Sequence, residues 1–121
     1  MKHNNLILDK TFLLGLKILS LYKYLREQRV ERDLCVQLLK SGTSIGANAE
    51  EAVGGSSRKD FIHKLEIAYR EARETKYWLR LFKDSSIIEK YRADEYISDV
   101  DEILRIISSI LKSTKTPIIN F

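Results

Sequence analysis

Between Phe61 and Phe82, the residues Phe61, Leu65, Ala68, Ala72, Thr75, Leu79 and Phe82 recur at alternating spacings of four and three. A period of 3.5 held over three heptads is one edge of an α-helix, because a strand repeats every second residue. Such an edge is a packing seam, and its period favours left-handed helix packing near +20°. The rest of the chain must therefore supply helices to meet it.

Three further segments do so. From about Asp9, a plausible N-cap, Leu14, Ile18, Leu21 and Leu25 keep helical spacing to about Gln28. Phe12, Leu16 and Leu19 form a second row beside them. A helix on one monomeric core needs a single apolar stripe, so this one is expected to be covered from more than one side. A second helix, with Leu34, Leu38, Ile45, Ala49 and Val53, starts near Val30. Ser41-Gly42-Thr43-Ser44 would break it on propensity, but the apolar period stays in phase across it. A continuous helix is expected, with Gly42 and Gly46 each costing about 1 kcal/mol relative to Ala. Small side chains that admit a neighbour at close range are the reason to tolerate that cost.

Gly54-Gly55 reads as a helix stop through the left-handed conformation glycine accepts. Ser57 then opens the heptad helix, with Asp60 where a capping box places Glu or Gln. The last helix begins near Ser86–Glu89 or near Arg92. It carries Tyr96, Val100, Ile103, Leu104, Ile107, Ile110 and Leu111, with Ile97 and Ile106 widening the stripe. Pro117 ends it and leaves an apolar tail. With one proline and five glycines in 121 residues, a turn-rich β architecture has little material. The expected fold is all-α: a single domain over 1–121, an antiparallel up-down-up-down four-helix bundle with helices over 9–28, 30–54, 58–83 and 90–114 and a tail over 115–121.

Catalytic chemistry is hard to place on this chain. A di-metal carboxylate site in a four-helix bundle wants two acid-x-x-His pairs, and Asp60-x-x-His63 is the only one. No glycine-rich phosphate loop is present, nor a histidine suited to activate a nucleophile. No enzyme activity, metal, cofactor or small-molecule substrate is expected. Cys35, the single cysteine, reads as a buried apolar residue. Asp9, Lys10 and Lys17 interrupt the first apolar stretch, unlike a secretory signal. No run reaches the length of a membrane span. A cytoplasmic protein is expected.

The net charge of +4 is unevenly spread. Residues 58–83 carry eight Lys/Arg against four Asp/Glu, and residues 1–29 six against two. Arg70 can pair with Glu66 and Glu74 at i±4, but Lys76 and Arg80 are a like-charge i,i+4 pair with only Asp84 to offset Arg80. Arg73, Lys76, Arg80 and Lys83 share one flank of the seam with Tyr69 and Tyr77. Cations interleaved with aromatics can hold a phosphate backbone and stack on bases. A solvated face with long side-chain stems is the alternative. Tyr69, Tyr77 and Trp78 are equally consistent with core or subunit contacts. Glu50 and Glu51, at the unfavourable end of their helix dipole, are either solvated or paired with bases on a neighbouring helix or subunit.

The stretch LLKSGTSIGANAEEAVGGSSRKDFIHKLEIAYREARETKYWLRLF resembles the bacterial four helix bundle protein family. Its members are encoded, among other places, by intervening sequences in large-subunit ribosomal RNA genes. The likeness runs from Leu21–Leu25 to Ile106–Ile110 and is most specific over Ser41–Glu51 and Phe61–Leu81. Relatives include the accessory variability determinant of diversity-generating retroelements, a homopentamer with a basic surface that associates with reverse transcriptase and nucleic acid. The resemblance implies a continuous second helix and a ring-shaped homo-oligomer, a pentamer. RNA, DNA or a reverse transcriptase become the expected partners. The alternative is a scaffold that binds only proteins.

Overall fold

The computed structural model describes residues 2–115, with side chains from Leu6 onward. Four helices make up these residues: α1 (Lys2–Glu27), α2 (Arg32–Val53), α3 (Arg58–Asp84) and α4 (Lys90–Lys115). Each packs on its neighbours in chain order, and α4 returns to α1, so the helices form a closed square. The links are too short to cross the bundle, which makes the topology up-down-up-down. The Pro117 stop and the apolar tail lie outside the described residues; Lys115, expected to open the tail, belongs to α4.

The core is built from the expected stripes. Leu14, Ile18, Leu21 and Leu25 face Leu38, Ile45 and Ala49, then Leu65, Ala68, Ala72, Leu79 and Phe82, then Val100, Ile103 and Ile107, all buried. α2 is unbroken through Ser41–Ser44. Its small seam admits α1: a Cβ on Gly42 would stand 2.7 Å from Ile18 Cγ2, and one on Gly46 3.3 Å from the Thr11 carbonyl oxygen. Opposite, the buried Ser41 and Thr75 hydroxyls lie 3.0 Å apart and tie α2 to α3. Each also reaches a carbonyl of its own helix, Leu38 O and Glu71 O. That satisfies polar groups that would otherwise cost about 1–3 kcal/mol each.

Charge laces the thinnest edge of the square. Between α1 and α4, Lys10 pairs with Glu102, and Lys17 with Glu95 and Asp99. The Lys17 pKa reflects burial, which lowers it, outweighed by these two carboxylates, so the net shift is upward. Glu51 pairs with Lys64 at 2.9 Å, so this acid at the end of α2 is stitched to α3.

Several sequence expectations are corrected. α1 starts at Lys2, not Asp9, because Ile7 and Thr11 are already buried in phase with Leu14 and Ile18; Asp9 is an exposed interior residue. No described glycine has a positive φ. Gly54 caps α2 at φ −81°, and its N–H donates to Glu50 O. The left-handed residues are Arg29 (φ 63°) and Ser86 (φ 64°), at the other two corners. Beyond Ser86, the N–H of Ile87 donates to Phe82 O at 2.8 Å, closing α3 by backbone bonding. At the α3 start, the Ser57 hydroxyl accepts from the Asp60 N–H at 3.1 Å as expected. The Asp60 carboxylate, however, accepts from the Ser56 hydroxyl instead of closing a capping box. Ile97 and Ile106 are partly buried against the core, so the broad stripe of α4 is used within the protomer. The second row of α1 is not: Phe12 is 65% exposed, Leu16 50% and Leu19 40%.

Candidate nucleic-acid interface

Tyr69, Arg73, Lys76 and Arg80 follow the same four-three rhythm as the α3 seam, one step round the helix. When α4 docks, this flank becomes one wall of an outer groove. A cavity of about 420 Å³ there is lined by Tyr69, Arg73, Lys76, Tyr77, Arg80 and, from α4, Leu104. Three of the four candidate cations thus converge with both tyrosines.

The four cations are not equivalent. Lys76 Nζ lies 2.8 Å from Asp101 Oδ1, and Lys83 Nζ 2.5 Å from Asp94 Oδ1. These half-buried lysines clasp α3 to α4, so two of the four cations on this flank serve the packing of the bundle. Their partners, Asp94 and Asp101, lie on another helix and are invisible to an i±4 inspection of α3. Lys83 does not line the cavity with the other three. Arg73 and Arg80 are exposed, and neither makes a hydrogen bond or ion pair with another described residue; Asp84 does not reach Arg80.

The aromatic residues divide in the same way. Trp78 is partly buried against the core, its indole N–H donating to Glu74 Oε2 at 3.0 Å. Tyr77 is 52% exposed and meets Trp78 edge to face, ring centroids 5.3 Å apart. Tyr69 is half-buried on the core side of the groove. A fixed, exposed ring between two arginines is a surface on which a base can stack while phosphate meets guanidinium.

The groove continues toward the other end of the bundle. A second cavity of about 730 Å³ is lined by His63, Glu66, Tyr69, Arg70, Ser108 and Lys112, with Leu111 and Lys115 completing it. Tyr69 borders both cavities. Lys115 Nζ lies 2.5 Å from Glu66 Oε2. That hydrogen bond and charge hold the Glu66 carboxyl below the usual range. Sequence reading missed this half. Glu66 and Glu74 are within i±4 reach of Arg70, yet Glu66 turns to Lys115 and Glu74 to Trp78, and Lys112 and Lys115 sit in a segment of balanced charge. Only the α3/α4 docking brings them alongside.

Elsewhere, an apolar groove of about 350 Å³ runs between α1 and α2, lined by Phe12, Gly15, Leu16, Leu19, Gly46 and Ala47 among others. Cys35 is buried, and burial pushes its thiol pKa up. Among the described residues, no three His, Cys, Asp or Glu side chains are grouped to hold a metal ion. No described helix is long and apolar enough to cross a membrane.

Among curated proteins none matches the chain. A crystal structure at 1.70 Å of a protein with unknown function from the S23 ribosomal protein family of Bacteroides thetaiotaomicron is 41% identical. The similarity covers 91% of this chain and 98% of that one, with a TM-score of 0.88. The profile of the 23S rRNA-intervening sequence protein family matches residues 3–109. With the seam and the heptad inside that span and most of every helix covered by it, the chain belongs to the 23S rRNA-intervening sequence protein family.

Proposed function

We propose that the protein is a non-catalytic, homo-oligomeric helical-bundle module. It binds nucleic acid, or a nucleic-acid enzyme such as a reverse transcriptase, through the basic flank of α3. One observation carries the binding reading: Arg73 and Arg80 stand exposed beside Tyr77 without a carboxylate partner among the described residues. Guanidinium groups left over from folding, fork-shaped and always charged, suit bidentate phosphate contacts. Lys76 and Lys83 keep their places in the candidate set as positive charges, held in position by Asp101 and Asp94.

Support for self-association comes from the second row of α1, where Phe12 and Leu16 expose apolar surface that the protomer does not cover. A second copy of the chain is the proposed cover, and a pentamer is the order the family resemblance suggests. A ring repeats each basic groove, so modest affinity per protomer adds up over a long polyanion.

Fluorescence anisotropy with labelled RNA and DNA, across a salt series, tests the binding reading. Log affinity should fall linearly with log salt. The double variant Arg73→Ala with Arg80→Ala should flatten that slope by about 1.4, at roughly 0.7 per phosphate contact on a single strand. Salt-independent retention, or an unchanged affinity in the double variant, would instead favour a protein-only scaffold.

A further inference from the structure

The two cavities on the α3/α4 edge abut at Tyr69, and their walls are alike in chemistry. Together they carry six Lys/Arg side chains against the carboxylate of Glu66 and that of neighbouring Asp101. Both carboxylates are already engaged, Glu66 by Lys115 and Asp101 by Lys76. An incoming anion therefore meets cations along the whole groove and no unneutralised acid among these lining residues. Arg70, Arg73 and Arg80 run down its α3 wall, and none of them makes an ion pair with a described residue.

We propose that the entire α3/α4 groove, from His63 to Arg80, is a track for one single strand of RNA or DNA. The proposal rests on the nucleic-acid reading above and extends it in partner class and in length. Three features select a single strand. Packed helices lie about 8–10 Å apart, so the groove between them admits one chain and not the full width of a duplex. A duplex on the rim would meet the arginines with its phosphates but hide its base faces from the tyrosines. Tyr69 and Tyr77, eight residues apart, are spaced about 12 Å along the helix, far enough to serve different bases. Tyr77 is braced by Trp78, so little ring freedom is lost on stacking.

The length follows from helix geometry. His63 to Arg80 spans about 25 Å along α3. A strand stacked as in B-form DNA rises about 3.4 Å per nucleotide, so the track holds at most about seven nucleotides. Single-strand sites on other scaffolds begin at about four nucleotides. The shared chemistry is an unpaired phosphodiester strand, and RNA and DNA are its two sources.

The test is anisotropy with labelled single-stranded RNA and DNA oligonucleotides from two to eight nucleotides, beside a short hairpin duplex of each. Wild type, Arg70→Ala and Tyr77→Ala are compared, each checked for unaltered helicity and melting. Affinity should climb steeply with length up to about seven nucleotides and be at least about tenfold weaker for the duplex. Arg70→Ala should weaken the longer strands severalfold but leave the shortest unaffected. Tyr77→Ala should cost every single strand about tenfold, within the range for a lost base–aromatic stack, and the duplex little. A stronger response to RNA or to DNA identifies the source. Full affinity for a dinucleotide, equal binding of the duplex, or a silent Arg70→Ala would overturn the track while leaving the Arg73 and Arg80 reading intact. If no oligonucleotide binds, both fall.

Discussion

Replacing Gly42 with alanine places the packing account under direct strain. In a free helix the change is favourable by about 1 kcal/mol, because alanine is the better helix former. Here the new Cβ would lie 2.7 Å from Ile18 Cγ2, 2.9 Å from Cγ1 and 3.2 Å from Cβ. Those atoms sit at the stiff, β-branched root of a fully buried side chain, so they cannot swing aside. Overpacking of this kind costs about 1–3 kcal/mol, which leaves Gly42→Ala destabilised by about 1 kcal/mol net. Gly46→Ala, at 3.3 Å from the Thr11 carbonyl oxygen, should come out near neutral. Gly15→Ala, whose Cβ meets nothing within 4 Å in the protomer, should gain the full helix term of about 1 kcal/mol. Urea unfolding at one protein concentration gives the series, with an unchanged m-value showing that only stability moved. Adding Ile18→Ala to Gly42→Ala should recover about 1–2 kcal/mol against the sum of the single changes. Ile18→Val should not, since valine keeps both γ carbons. A Gly42→Ala protein as stable as Gly15→Ala would refute the close approach of α1 to α2.

Three further outcomes can be checked on the same protein. Thr75→Val removes one of the two paired hydroxyls in the α2/α3 interface and should cost about 1 kcal/mol in urea unfolding, with Ser41 retaining Leu38 O. Because the folded pKa of Lys17 is raised, its contribution is complete below the unfolded value of 10.5 and lost as pH rises through the folded value. Wild type should therefore out-melt Lys17→Met near neutrality, by no more than about 1 kcal/mol for so exposed a pair, and the difference should vanish at strongly alkaline pH. Phe12→Asp with Leu16→Asp should return a monomer by light scattering while the circular dichroism stays helical; a monomeric wild type at micromolar concentration would end the oligomer proposal.

Most of the architecture was legible because it is written in local periodicity. The heptad from Phe61 to Phe82, and the phase kept across Gly42, each depend on residues within a few turns of one another. The chain termini of helices were less legible. The start of α1 depends on Ile7 finding a core made by distant helices, and the left-handed corners fell on Arg29 and Ser86, not on glycine. For the candidate interface, Arg73, Lys76 and Arg80 beside Tyr69 and Tyr77 could be read from one helix. The pairing of Lys76 with Asp101, of Lys83 with Asp94 and of Lys115 with Glu66 could not, since each joins α3 to α4 and no partner lies within one helical turn of the other. Charge counts per segment conceal such pairs, and they also concealed the lower half of the groove.

Photo-crosslinking of a six-nucleotide strand carrying 4-thiouridine, followed by mass spectrometry of the peptides, locates the interface without assuming it. The α3/α4 groove account expects adducts in α3 around Tyr69 and Tyr77, lost when Arg73 and Arg80 are both alanine. Adducts confined to α1 and α2, or an α3 yield indifferent to those two arginines, would contradict it.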